Sequence, residues 1–180
     1  GGILTTDDDE LASFYRVMRN HGMDEREAKP TFMAAGFNYR MTDIQAALAA
    51  GQLKRIESII TRRTIMAERY EEELVGHFFR KPEAPEGGRT NWQSYHIVLD
   101  DRVRQADFLS FLAEREIGAN YGAQCIPVQP FFRDKYRYGN NDYPEAYRAF
   151  TQGVVLPLFD TMTEDQQSFV IETVNNYRSN

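Results

Sequence analysis

The 180-residue chain is poor in the features that mark several large classes of protein. It has one cysteine, Cys125, so no disulfide can close within it; with no nearby histidine or nucleophile motif, an inert buried thiol is expected. Its three histidines, His21, His77 and His96, are far apart and lack ligand spacing, which argues against a metal site. His21 and His77 fall near expected helix C-termini, where the dipole favours a cation, and no chemistry is assigned to them. Positive charge is in deficit: 21 Lys and Arg against 27 Asp and Glu leave −6, the wrong sign for nucleic acid or an anionic membrane surface. No apolar run approaches the roughly 18–20 residues of a membrane span. No signal-peptide pattern opens the chain, so a soluble, cytoplasmic protein is expected. Internal repeats and low-complexity segments are lacking as well.

What is present is a core-forming composition, 42% hydrophobic and 13% aromatic, organised around one stretch. Gly36-Phe37-Asn38-Tyr39-Arg40-Met41-Thr42 opens a helix: Thr42 is a good N-cap, and Gln45, three residues on, can complete a capping box. From there to Leu74 no proline interrupts a run rich in Ala, Leu, Gln, Lys, Arg and Glu. Ile44, Leu48, Ile56, Ile59, Ile60, Ala67, Tyr70 and Leu74 make one apolar stripe. As a single helix, residues 42–74 span roughly 50 Å at about 1.5 Å per residue. That is more than a small domain needs, so the helix reads as a bridge between two packing units. The Gly-x-Asn-x-Arg loop lies at its positive end, where exposed N–H groups and a guanidinium suit an anion such as phosphate.

Around this helix the chain reads as an α+β protein. Ile3–Thr6 is β-prone, the last strand of a larger sheet. A helix runs from the Asp7–Asp9 cap to about Asn20, with Leu11, Phe14, Tyr15 and Met18 apolar and Gly22 at its C′ position. Residues 23–35 read as a connecting loop, and Gly76–Thr90 is broken by Pro82, Pro85, Gly87 and Gly88. Strands are expected over Gln93–Leu99, Ile117–Tyr121 and Val154–Leu158. Helices are expected over Arg104–Glu116, Pro144–Phe150 (capped by Asn141 or Asp142) and from the Thr163-x-x-Gln166 box to Tyr177. The stretch Gln129–Tyr143 reads as loop or short helix. Residues 75–180 then form a small, mostly antiparallel sheet with helices on one face.

The run Gly36-Phe37-Asn38-Tyr39-Arg40-Met41-Thr42-Asp43-Ile44-Gln45-Ala46-Ala47, with Gly51-Gln52-Leu53 and Arg62-Arg63, resembles the DegT/StrS-type sugar aminotransferases. Gly1-Gly2-Ile3-Leu4-Thr5-Thr6, Arg19-Asn20-His21-Gly22, Ser94-Tyr95-His96, Gln129-Pro130 and Leu156-Pro157-Leu158 agree in order and spacing. Members are fold-type-I enzymes that use pyridoxal phosphate (PLP) to aminate keto-sugars carried on nucleotides. The resemblance maps onto their C-terminal half and implies three regions: residues 1–41 as a remnant of the large PLP-binding α/β domain, 42–74 as the bridging helix, and 75–180 as the small domain.

The resemblance further implies that Asn38 and Arg40 bind the cofactor phosphate of a neighbouring subunit. Arg40 also faces the sugar nucleotide, in a homodimer built through the long helix and the 36–42 loop. His96, Tyr121 and Gln129 are candidate substrate contacts, with Gln124 beside them. The family's Schiff-base lysine falls before Gly1, so this chain is expected to have no catalytic residue, to be inactive alone and not to bind PLP covalently. Lys29, Lys54, Lys81 and Lys135 lack its motif context. Residues 118–130 depart from the family pattern: Gly122 and Pro127 stand about where relatives have histidines. The alternative reading is a non-catalytic scaffold or dimerisation module derived from the family.

Overall fold

A computed structural model describes residues 2–24, 26, 29 and 31–178, so Gly1 of the Gly-Gly landmark lies outside the described residues. The chain divides into two units, residues 1–56 and 57–180.

In the first unit, Asp8 caps helix α1 (Asp9–Arg19), its carboxylate accepting from the N–H of Glu10 (2.8 Å) and Leu11 (3.0 Å). Ile3–Thr6, expected as a strand, takes no strand pairing. The expected loop 23–35 contains a small antiparallel hairpin, β1 (Met23–Asp24) with β2 (Thr31–Phe32). Strands of two residues are too short to show period-two alternation. Helix α2 (Asp43–Leu53) opens with the expected capping box: Gln45 N–H donates to Thr42 Oγ1 (3.3 Å), and Thr42 N–H to Gln45 Oε1 (3.0 Å). No apolar side chain described in this unit is buried.

The single helix expected over 42–74 is corrected by the structure. It is two helices, α2 and α3 (Ile56–Glu73), separated by a turn at Lys54 and Arg55. At the break Arg55 N–H bonds the carbonyl of Gln52, three residues back instead of four (3.1 Å), which tightens the ladder. Gly51 just before it adds no side-chain contact and weakens helix locally. The apolar stripe divides at the same place. Ile44 and Leu48 are 77% and 67% exposed, whereas Ala67, Tyr70 and Leu74 are buried.

The second unit is an antiparallel sheet in the order β3 (Phe79–Arg80), β4 (Tyr95–Leu99), β5 (Gly153–Leu156). Tyr95 pairs with Leu156 and Ile97 with Val154, so four fully buried side chains share one face. Met66, Ala67 and Tyr70 of α3, Phe108 and Leu112 of α4 (Gln105–Ala113), and Val170, Ile171 and Val174 of α7 (Glu164–Asn175) complete the core. Tyr70 ties this core together: its ring lies 4.9 Å from that of Tyr95, and its hydroxyl donates to the Pro157 carbonyl at 2.7 Å. Burial pushes the hydroxyls of Tyr70 and Tyr95 well above the usual tyrosine pKa, so both stay protonated donors.

The sheet's other face, carrying His96 and Val155, is also covered. Residues 120–122 and the C-terminal end of α6 (Pro144–Gln152) lie against it, so cover is not confined to one face as expected. The strand expected over Ile117–Tyr121 is reduced to one bridge, Asn120 with Val155, closed by Val155 N–H to Asn120 carbonyl at 2.7 Å. Gly122, with φ +67°, turns the chain away immediately afterwards. The stretch 129–143 holds α5 (Pro130–Tyr136), and α6 begins on Pro144 without a side-chain cap. Asp142, expected as a cap, instead accepts from Gly139 N–H at 2.8 Å.

Candidate functional site

Two glycines create the loop that carries Asn38 and Arg40. A Cβ added to Gly22 (φ +77°) would lie 1.8 Å from the Ala34 carbonyl oxygen, and one added to Gly36 would lie 2.1 Å from Gly22 N. Only bare backbone permits that approach. With the strands of chain so close, Phe37 N–H donates to the Met18 carbonyl (2.8 Å), His21 N–H to that of Phe37 (2.8 Å) and Tyr39 N–H to that of Arg19 (2.9 Å). Residues 37–39 are thereby sewn onto the end of α1, with Asn20 and Asn38 bridged.

Side chains then alternate along the segment. Phe37 and Tyr39 stack on each other at 4.9 Å with planes 8° apart. On alternate positions, Arg40 Nε donates to Asn38 Oδ1 (3.0 Å), and Arg40 Nη2 lies 3.3 Å from His21 Nε2. The Nε contact fixes the Asn38 amide: its oxygen is engaged, so its NH2 group is left to donate. Both side chains are exposed, and together they offer N–H donors with a full positive charge two to four residues ahead of the Thr42 cap. That is the chemistry of an anion site. His21, to which the sequence assigned no chemistry, is part of it. Its signal was present in Arg19-Asn20-His21-Gly22, but a helix-end histidine does not reveal a loop folded back onto it.

The second unit brings Tyr121, Gln124 and Gln129 together on an open cavity of about 490 Å³, lined also by Gln105, Phe150 and Thr151. Gln124 Nε2 donates to the Tyr121 hydroxyl (3.0 Å), and Gln129 Nε2 reaches Gln124 Oε1 and the Cys125 carbonyl, both at 3.4 Å. The Tyr121 ring meets Phe150 edge-on, 5.9 Å between centroids. Gln105 Nε2 is committed to the carbonyls of Phe150 (2.9 Å) and Gly153 (2.7 Å) and acts as scaffold. No lining residue is ionisable near neutral pH; amides and an aromatic hydroxyl suit a neutral, hydroxyl-bearing group. Cys125 is buried, as the sequence suggests.

His96 does not join them. Its ring is wedged between Gly122 and Gly153; its Nε2 is buried without a hydrogen-bond partner, and its other contact is the Tyr121 backbone. Burial lowers its pKa, outweighing the opposing effect of that backbone contact, and keeps it neutral. Gly122 is explained by the same packing, because a Cβ there would lie 2.2 Å from Val155 Cγ2.

A capped helix joined in sequence to a small α+β sheet unit is also found as part of solved aminotransferase chains, which gives the class of fold. More specifically, the model of the DegT/DnrJ/EryC1/StrS aminotransferase family matches residues 1–175, and the chain belongs to that family. It is 38% identical over 183 residues to GDP-perosamine synthase of Caulobacter vibrioides, covering 97% of this chain and 47% of that protein. It is 30% identical over 192 residues to the spore coat polysaccharide biosynthesis protein SpsC of Bacillus subtilis, covering 98% and 49%. Its fold matches a Streptococcus pneumoniae chain solved in a PLP-form, with TM-score 0.80 and 22% identity over 94% of this chain and 44% of that one. The chain spans about half the length of the curated relatives it matches. Among the described residues, no helix is long and apolar enough to cross a membrane.

Proposed function

We propose that this chain is the C-terminal portion of a PLP-dependent aminotransferase acting on nucleotide-linked keto-sugars. Residues 1–41 are a remnant of its large domain, α2 and α3 the connecting helices, and 75–180 its small fold-type-I domain. Family membership and the PLP-form of a similarly folded chain support the cofactor. The observation that carries the reading is the contact of Arg40 Nε with Asn38 Oδ1, which engages the amide oxygen and leaves the amide NH2 and Arg40 Nη1 as donors. Those donors fit a phosphate. When bound, the cofactor supplies the electron sink for moving an amino group from donor to keto-sugar.

Asn38 and Arg40 would hold the cofactor phosphate of the neighbouring subunit, and Arg40 would also face the nucleotide sugar. Tyr121, Gln124 and Gln129 orient the sugar hydroxyls. Among the described lysines none is built into a site: Lys81 is held by the Glu71 carboxylate (3.7 Å) and carbonyl, and Lys135 lies over Phe131 and Tyr136. The chain therefore contributes binding groups rather than a covalent anchor, and is inactive alone. The test is amino transfer to a nucleotide-linked keto-sugar after pairing with the N-terminal half of a relative. Activity is expected only with both halves, falling by about tenfold or more in Arg40→Ala, since hydrogen bonds to charged groups contribute about 1.5–3 kcal/mol. Transamination by this chain alone, or full activity in Asn38→Ala and Arg40→Ala, overturns the reading.

The exposed apolar face of α2 favours a second one, in which the chain serves as a dimerisation module without chemistry. Ile44 and Leu48, one turn apart on one face, are 77% and 67% exposed, and a second copy placed on them would bury both. Both readings make the chain a homodimer through α2 and the 36–42 loop. Only the first expects activity to be restored by an N-terminal half.

A further inference from the structure

We propose that His21 is a positioning residue for Arg40, clamping the guanidinium so that its unengaged N–H groups are presented to an anion. Arginine has only donors, so the 3.3 Å contact between Arg40 Nη2 and His21 Nε2 requires the histidine nitrogen to accept. With Nε on Asn38 and Nη2 on His21, two of the three guanidinium nitrogens are anchored on different segments of chain. Among the described residues Nη1 makes no hydrogen bond within the loop, and it is the natural donor to an incoming oxygen.

A second observation places the histidine deliberately. His21 holds φ +57°, a left-handed conformation that costs most L-residues free energy and in which histidine is enriched. Its backbone is pinned there by His21 N–H to the Phe37 carbonyl (2.8 Å) and by Gly22 N–H to that of Val17 (2.9 Å). The strained turn directs the imidazole at the residue three places beyond Phe37. The role of Arg40 as an anion ligand rests on the function proposed above; the clamp itself does not.

The experiment uses the 180-residue chain and its His21→Ala, His21→Gln, Arg40→Ala and His21→Ala/Arg40→Ala variants. Alanine and glutamine share the backbone penalty at residue 21, but glutamine keeps an acceptor. Side-chain 15N NMR reads the clamp directly: His21 Nε2 unprotonated and Arg40 Nε–H sharp in the wild type, Arg40 Nε–H broadened in His21→Ala, and restored in His21→Gln. An Arg40 signal unchanged in His21→Ala, or a protonated Nε2, overturns the clamp.

Titration with pyridoxal 5′-phosphate reads its consequence. Arg40→Ala is expected to weaken binding about tenfold or more, His21→Ala about two- to tenfold, His21→Gln less than about twofold, and the double variant no more than Arg40→Ala. If Arg40→Ala weakens binding and His21→Ala does not, or if glutamine fails to rescue, the positioning role falls and the anion site stands. If Arg40→Ala has no effect, or the wild type does not bind, the anion reading falls, and the NMR comparison still decides the clamp.

Discussion

His96 is a residue whose ionisation is bound to packing. Burial holds its pKa below the ordinary 6.5, so the unfolded chain takes up a proton at a pH where the folded chain does not. Its contribution to stability is complete above 6.5 and is lost as pH falls from that value toward the lowered one. Denaturant unfolding followed from pH 8 to 5 is expected to show this decline, and His96→Gln to flatten it; identical slopes would remove the assignment. Its neighbour Gly122 is constrained twice, by φ +67° and by Val155 Cγ2 at 2.2 Å from any added Cβ. Gly122→Ala should lower the unfolding free energy by about 2 kcal/mol or more, since neither the conformation nor the space accepts a methyl group. A urea midpoint shift with unchanged slope would register it.

Helices and strands differ in how openly the chain declares them. Both capping boxes, Thr42 with Gln45 and Thr163 with Gln166, form as their sequences imply, because the partners are three residues apart and need nothing distant. The central strand β4 shows clean alternation, with Tyr95, Ile97 and Leu99 fully buried. At this scale Tyr70→Phe should cost about 1 kcal/mol, because it deletes a hydroxyl bond to the Pro157 carbonyl while keeping the ring. Thermal unfolding of the two proteins measures it. What escaped sequence reading is what depends on remote contacts. β1, β2 and β3 are two residues long, and the 117–121 segment was diverted from the sheet by Gly122 and Val155. The candidate site follows the same rule: the motif marked the loop in which Asn38 and Arg40 meet, whereas the contact of His21 with Arg40 and the enclosure of His96 are set by tertiary neighbours.

Across the molecule, burial is distributed unevenly. Residues 57–180 hold every buried apolar side chain described, and residues 2–56 hold none. An apolar helix left that exposed is stabilised by association. Sedimentation velocity is therefore expected to show a dimer in the micromolar range, with Ile44→Glu and Leu48→Glu shifting it to monomer. A wild-type monomer throughout that range would sink the association.

The turn between α2 and α3 consists of two adjacent exposed basic residues, Lys54 and Arg55. Trypsin cuts after such residues. Digestion that reaches this turn is expected to release a C-terminal piece starting at Ile56, which holds every buried apolar side chain described.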